Sequence, residues 1–302
     1  MNTVSSPETL IIQNPQAGAD RANREVQEWA DARPEVELRA TAGKGDAHQW
    51  ARDAARRGVK LVVAAGGDGT VREVGNGLLD ADGPGGVALG IVPLGTGNDL
   101  ARSLGVPGSV GQALNLLEGG RVRRMDVARV GLGHGKPSYF LNALTGGFSG
   151  ALHDALEPET KAAWGPLSYL RSGVESWGDR TTYRLRLAVD GRDFTYTALN
   201  LVVANGATAG GGIPIAPEAS LFDGELDVAV VLEATAMELG NIAAQILAGG
   251  PGDHEALVRL RGRSIRVSCS IPFPLSIDGE AEEATEISMD VVRGKLLAVV
   301  GS

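Results

Sequence analysis

Residues 62 to 102 read VVAAGGDGTVREVGNGLLDADGPGGVALGIVPLGTGNDLAR, and this stretch decides the fold. It holds two glycine-rich turns, Gly66-Gly67-Asp68-Gly69-Thr70 and Gly95-Thr96-Gly97-Asn98-Asp99, about 28 residues apart. Each follows a short apolar run with the look of a buried strand, Leu61 to Ala65 and Ala88 to Val92, and each precedes a helical pattern. Strand, glycine turn and helix together aim free backbone N–H groups at an anion. Two such turns belong side by side at the carboxyl ends of parallel strands, where open α/β sheets bind their ligands. Gly66, Gly67 and Gly69 leave room for a phosphate to approach the main chain, and Thr70 stands near the start of a helix, where its hydroxyl can cap or touch phosphate. Asp68 is the odd residue. A carboxylate repels phosphate unless a cation or a transferable proton lies between them, although a lone Gly-Asp-Gly is also a common turn.

The same alternation extends outward. Leu10 to Gln13, Val36 to Ala40 and Leu61 to Ala65 read as strands. Residues 20 to 32, with Val26, Trp29 and Ala30 on one face, and Asp46 to Arg57 read as helices. Trp29 and Trp50 are read as core, and Trp164 and Trp177 as packed on helical faces. A further helix is expected at Gly111 to Leu117. This β-α-β order implies a parallel sheet with helices on both faces, here assigned to residues 1–127 after a loose tail at 1–8. Beyond it the pattern becomes short β-branched strands over 127–150, 182–205, 226–232 and 257–300, with helices at about 159–177 and 236–248. The expected fold class is therefore α/β plus mainly-β: a parallel-sheet nucleotide-binding domain followed by a β-sandwich at 128–289.

Composition narrows the class. The chain has 302 residues, a net charge of −9 and 43 glycines, about 14% and roughly twice the usual share. The acidic balance argues against nucleic acid as a partner and against strong electrostatic adhesion to anionic lipid. No run of 18 apolar residues marks a transmembrane segment, and no signal peptide is visible. The single cysteine, Cys269, excludes an internal disulfide and fits the cytoplasm. His48, His134, His153 and His254 show no metal spacing, and no GxxxxGK[ST] loop is present.

Gly66-Gly67-Asp68-Gly69-Thr70 followed by Pro93-Leu94-Gly95-Thr96-Gly97-Asn98-Asp99 resembles the catalytic domain of diacylglycerol kinases, shared with sphingosine and ceramide kinases and with bacterial soluble lipid kinases. Asn14-Pro15-Gln16-Ala17-Gly18 is similar to the family's first nucleotide loop, and Thr41 with Gly45-Asp46-Ala47 to its second. Gly210-Gly211-Gly212, Ala216-Pro217 and Phe222-Asp223-Gly224 resemble its central domain, and Ile277-Asp278-Gly279-Glu280 resembles its late Asp-Gly-Glu motif. The resemblance implies the NAD kinase/diacylglycerol kinase-like fold, with the last strand, at about 290–302, returning to the first domain, and transfer of the ATP γ-phosphate to a lipid hydroxyl with Mg²⁺. It extends the nucleotide contacts to Glu73 and makes Glu280 the general base beside Asp68. It places a structural cation at Ser220, Asp223 and Glu225, the flanking two acting through main-chain oxygens, linked by water through Asp126. Lys161 and Arg72 are the candidates for phosphate or substrate. Relatives carry Lys where Ala19 stands, with Arg21 two residues on, and Asn where Arg72 stands. The implied partner is a lipid at a membrane surface, met by transient association from the cytoplasm, with a homodimer left open. Two alternatives stand beside this reading: an NAD kinase-like enzyme, which shares Gly-Gly-Asp-Gly-Thr, and an inactive nucleotide-binding regulator, in which Ala19 and Arg72 mark lost chemistry.

Overall fold

The computed structural model describes residues 8–81, 86–133, 135–147, 181–247 and 254–301. The expected tail, the helix at 159–177, His134, His153, Lys161, Trp164 and Trp177 fall outside these residues, save the tail's last residue, Glu8. The chain divides into two compact units, Met1–Met125 with Gly294–Ser302, and Asp126–Arg293.

The first unit alternates strand and helix in order: β1 (Thr9–Gln13), α1 (Asp20–Asp31), β2 (Val36–Ala40), α2 (Asp46–Arg56), β3 (Leu61–Gly66), α3 (Asp68–Leu79), β4 (Ala88–Pro93), α4 (Asp99–Ser103) and α5 (Val110–Gly119). The strands pair in parallel, with β2 beside β1, β1 beside β3 and β3 beside β4. All six residues of β4 are buried, as a strand covered by helices on both faces requires. Ile11, Val63, Ala65 and Val92 pack with Val26, Ala30 and Leu114 on one side of the sheet. Trp29 joins that core at its margin under the Arg33 guanidinium, 4.0 Å from the ring centre. Trp50, expected in the core, is only half-buried and faces Arg39. The buried face of α2 is made of Ala47, Ala51, Ala54 and Ala55 instead.

The second unit contains β5 (Arg121–Gly131, entered from the first unit), β6 (Ser138–Phe140), β7 (Ala143–Gly147), β8 (Tyr183–Val189), β9 (Arg192–Ala204), β10 (Leu226–Leu232), α6 (Ala236–Leu247), β11 (Leu257–Gly262), β12 (Ser264–Ile277) and β13 (Glu280–Val300). Two long strands serve two walls. Residues 192–198 of β9 pair with β8, and residues 200–204 pair with β7. Along β12, Ile265–Cys269 pair with β8 and Leu275–Ile277 with β7, across a register shift between Ser268 and Phe273. Strands β7, β9, β8 and β12 thereby form a closed ring around Leu185, Leu187, Leu201, Val203, Val267, Phe273 and Leu275. β13 leaves this unit after Arg293, and its Leu297 and Ala298 pair in parallel with β4 of the first. The buried Cys269 lines the core as filler.

Phe273 is fully buried, and its ring meets Tyr183 edge-on at 4.9 Å. Phe273→Ala should lower the unfolding free energy by about 3–5 kcal/mol in urea titrations, the usual loss for a large core ring. A loss under about 1 kcal/mol would show that this ring does not hold the β unit together.

Candidate active site

Four loops leave the carboxyl ends of β1 to β4 in the first unit, and backbone bonds carry each ladder into its loop. The Asn14 amide donates to the Ala65 carbonyl at 2.9 Å, the Thr41 amide to Gln13 at 2.8 Å, and the Leu94 amide to Gly66 at 2.9 Å. Asn14 folds the first loop as an Asx turn, its Oδ1 accepting from the Gln16 amide at 3.0 Å. Asn23 braces that loop from α1, donating to the Ala17 carbonyl at 3.1 Å and accepting from Gln13 Nε2 at 2.8 Å. Gln13 and Asn23 escaped the sequence reading because neither lies in a motif. The second loop is fastened to α3: the Gly45 amide donates to both carboxylate oxygens of Glu73 at 3.1 Å.

Asp68 joins the two glycine turns. Its Oδ2 accepts from the Asn98 amide at 2.7 Å and its Oδ1 from the Asp99 amide at 2.8 Å. Asn98 takes a left-handed conformation (φ 54°) to begin α4. Its side chain closes the turn on Gly95, accepting from that amide at 3.1 Å and donating to the carbonyl at 2.6 Å. The turns touch backbone to backbone, and a Cβ added at Gly95 would come within 2.5 Å of Gly67 Cα, so only glycine fits there. Thr70 is buried in the first turn of α3, while Thr96 is exposed. The 12-residue helix α3 begins at Asp68 and so aims its first amides out of the sheet edge. The structure thus gathers Asn14 to Gly18, Thr41, Gly66 to Thr70, Glu73, Gly95, Thr96, Asn98 and Asp99 in one unit, with Arg72 half-buried on α3.

The remaining candidates lie in the second unit. Asp278 and Gly279 form the two-residue turn between β12 and β13, both with positive φ (46° and 87°), and Ile277 pairs with Glu280 across it. This is the turn chemistry an Asp-Gly pair favours. The Asp278 carboxylate accepts three backbone N–H groups, from Leu141 at 2.7 Å and from Asn142 and Ala143 at 3.0 Å. It anchors the turn that carries the half-buried Glu280. Asp126, buried, accepts from the Gly224 amide at 2.7 Å, and the fully buried Asn205 donates to the Asp126 and Leu141 carbonyls at 2.9 and 2.7 Å. Asn205 gave no signal in the sequence.

Two of the expected cation ligands are hydrogen-bonded within the chain. Asp223 Oδ2 is bound by Arg261 Nη2 at 2.6 Å and its Oδ1 by the Glu225 amide at 3.0 Å, while Ser220 Oγ accepts from the Phe222 amide at 3.3 Å. Among the described residues no group of three or more His, Cys, Asp or Glu side chains is arranged to hold a metal ion. No helix among them is long and apolar enough to cross a membrane.

The chain thus joins a parallel-sheet unit with paired glycine turns to a closed β unit bearing an acidic hairpin. Residues 8–130 match the diacylglycerol kinase catalytic domain, and residues 146–300 match the YegS C-terminal NAD kinase beta sandwich-like domain. The chain belongs to the diacylglycerol kinase family. A Pseudomonas aeruginosa protein named "Probable lipid kinase YegS-like" is 32% identical over 95% of this chain and 92% of its own length. The "Diacylglycerol kinase" of Bacillus subtilis is 30% identical over 89% of this chain and 88% of its own. A crystal structure from Bacillus anthracis, of a protein assigned there as a diacylglycerol kinase, superposes with a TM-score of 0.82 at 26% identity, covering 100% of this chain and 98% of that one.

Two outcomes test the anchors. Asp278→Ala, which removes three accepted N–H bonds and strains a left-handed position, should cost about 3 kcal/mol or more in chemical denaturation. Asp278→Asn, which tolerates the backbone and keeps one acceptor, should cost less. Asp68 answers to pH. Burial, aided by the Asp99 carboxylate, holds its carboxyl above the ordinary range against the pull of the Asp99, Asn98 and Leu100 amides. A raised carboxyl favours folding below the unfolded value of about 3.9 and loses that contribution as pH climbs through the folded value. Relative to Asp68→Asn, wild-type stability should therefore decline from about pH 4 toward neutrality. A difference flat in pH would remove the shift.

Proposed function

We propose that this protein transfers the γ-phosphate of ATP, bound as its Mg²⁺ complex, to the hydroxyl of a lipid such as diacylglycerol. The observation that carries this reading is the Asp68 clasp, which holds two glycine turns edge to edge beside the amino terminus of α3. Phosphates fit over Gly67 to Thr70 and Gly95 to Gly97, where glycine leaves the backbone open and helix amides face outward. The loops at Asn14 to Gly18 and at Thr41, held by Asn23 and Glu73, bound the rest of the nucleotide. Arg72 and Lys161 are the basic side chains assigned to phosphate or substrate, where the transferring group needs positive charge. Mg²⁺ would arrive with the nucleotide as part of the substrate and would supply charge to neutralise its phosphate oxygens.

Glu280 acts as general base. The acceptor oxygen bonds to the γ-phosphorus as the bond to the β–γ bridging oxygen breaks, ADP departs, and the hydroxyl proton passes to the Glu280 carboxylate. The hairpin anchored by Asp278 keeps that carboxylate in place. The lipid is met at a membrane surface, from the cytoplasm.

Labelled ATP offered with diacylglycerol, ceramide and sphingosine in mixed micelles, with NAD, and with no acceptor separates the readings. Phosphate in the lipid extract supports the kinase, product only with NAD favours the NAD kinase reading, and no transfer to any acceptor favours an inactive nucleotide binder. In that assay Glu280→Gln should lower kcat by about 10²- to 10⁴-fold with ATP affinity nearly intact. Near-normal kcat would sink Glu280 as the base, and loss of ATP binding would assign it to the nucleotide instead.

A further inference from the structure

The turn that resembles a cation site, residues 220–225, is already supplied with positive charge by the chain itself. All three oxygens of Asp223 accept hydrogens: Oδ1 from the Glu225 amide at 3.0 Å, Oδ2 from Arg261 Nη2 at 2.6 Å, and the carbonyl from Arg293 Nη2 at 3.1 Å. Arg261 is set in place by the ladder. In the antiparallel pairing of β10 with β11 it stands directly opposite Asp227. Its Nε lies 3.2 Å from Asp227 Oδ1 and 3.9 Å from Glu225 Oε2. Arg263 Nε approaches the other oxygen of Glu225 at 4.0 Å. Three guanidinium groups, Arg261, Arg263 and Arg293, thus serve a turn and strand bearing three carboxylates, Asp223, Glu225 and Asp227.

A hard divalent cation needs about six or more oxygen ligands with lone pairs turned toward it. Here the carboxylate expected to lead that set already holds a hydrogen on each oxygen. A cation entering beside Asp223 would lie within a few ångströms of the Arg261 guanidinium, whose charge would repel it. The guanidinium is also the better match in shape, because its fork reaches Asp223 and Asp227 together from a position fixed by strand register.

We propose that Arg261, assisted by Arg293, stands in place of a structural divalent cation at the 220–225 turn, so that the β unit is stable without metal. The proposal concerns stability and holds whichever acceptor the enzyme phosphorylates. It also confines any Mg²⁺ requirement to the nucleotide.

The test uses the full-length protein without nucleotide. Thermal melting in EDTA, in millimolar Mg²⁺ and in millimolar Ca²⁺ should give one and the same midpoint, and elemental analysis after desalting should find no stoichiometric metal. Arg261→Gln, which keeps a similar length and loses the charge, should melt several degrees lower than the wild type in EDTA. A wild-type midpoint that falls in EDTA and recovers with Mg²⁺ or Ca²⁺ would overturn the proposal, as would one tightly held metal ion per chain. So would an Arg261→Gln midpoint equal to that of the wild type. The wild-type measurements decide the matter even if the variant fails to fold, and they are independent of the lipid kinase assay.

Discussion

The carboxylate of Asp68, accepting the amides of Asn98 and Asp99, is the constraint on which the rest of the glycine-turn edge depends. An anionic side chain buried between two glycine-rich turns looks like a contradiction. The contradiction dissolves once its charge is placed at the amino terminus of α4, where backbone N–H groups and the helix dipole favour it. Those two amides are engaged by the protein itself. The clasp also explains the residues around it. Asn98 adopts its left-handed conformation to present its amide, and Gly95 lacks a side chain because the Gly67 backbone lies against it. Burial and the neighbouring Asp99 keep the Asp68 carboxyl raised despite those bonds.

Asp278 plays the corresponding part in the β unit. In both acidic motifs an aspartate binds backbone amides and holds a turn. At Asp278 the arrangement is compact. The aspartate accepts three amides, Gly279 supplies the second left-handed residue, and Glu280 begins β13 with its carboxylate half-buried. Reading Asp-Gly-Glu as a catalytic motif and reading Asp-Gly as a hairpin turn are therefore the same statement about different residues. At residues 220–225 the local pattern is again an acidic turn before a strand, yet arginines from β11 and β13 reach it. Similar turn chemistry thus has different partners, because the pairing of distant strands decides what faces it.

Much of the first unit was legible in the chain. Its strands are short apolar runs cut by glycine, and its helices carry alanine and valine at helical spacing, because a parallel sheet covered on both faces demands both. Trp50 shows the limit of that reading. Helical spacing placed it near the core face, but α2 packs closely through four alanines, and the indole is left at the rim beside Arg39. The β unit was legible as strands and turns but not as a ring. Nothing local announces that β9 and β12 each serve two walls, since that follows from register with β7 and β8.

The sequence by itself determined the loops: which turns are glycine-built, which acids lie within them, and the order in which strand and helix alternate. These are local properties, set by glycine's lack of a Cβ and by the period of apolar residues. Only the tertiary structure decided what each acid touches. Asp68 meets residues 30 and 31 positions away, Asp278 meets amides more than 130 positions away, and Asp223 meets Arg261 at 38. A carboxylate behaves as base, anchor or ion-pair partner according to the hydrogens that surround it. Those hydrogens arrive through strand pairing over distances that no local pattern encodes.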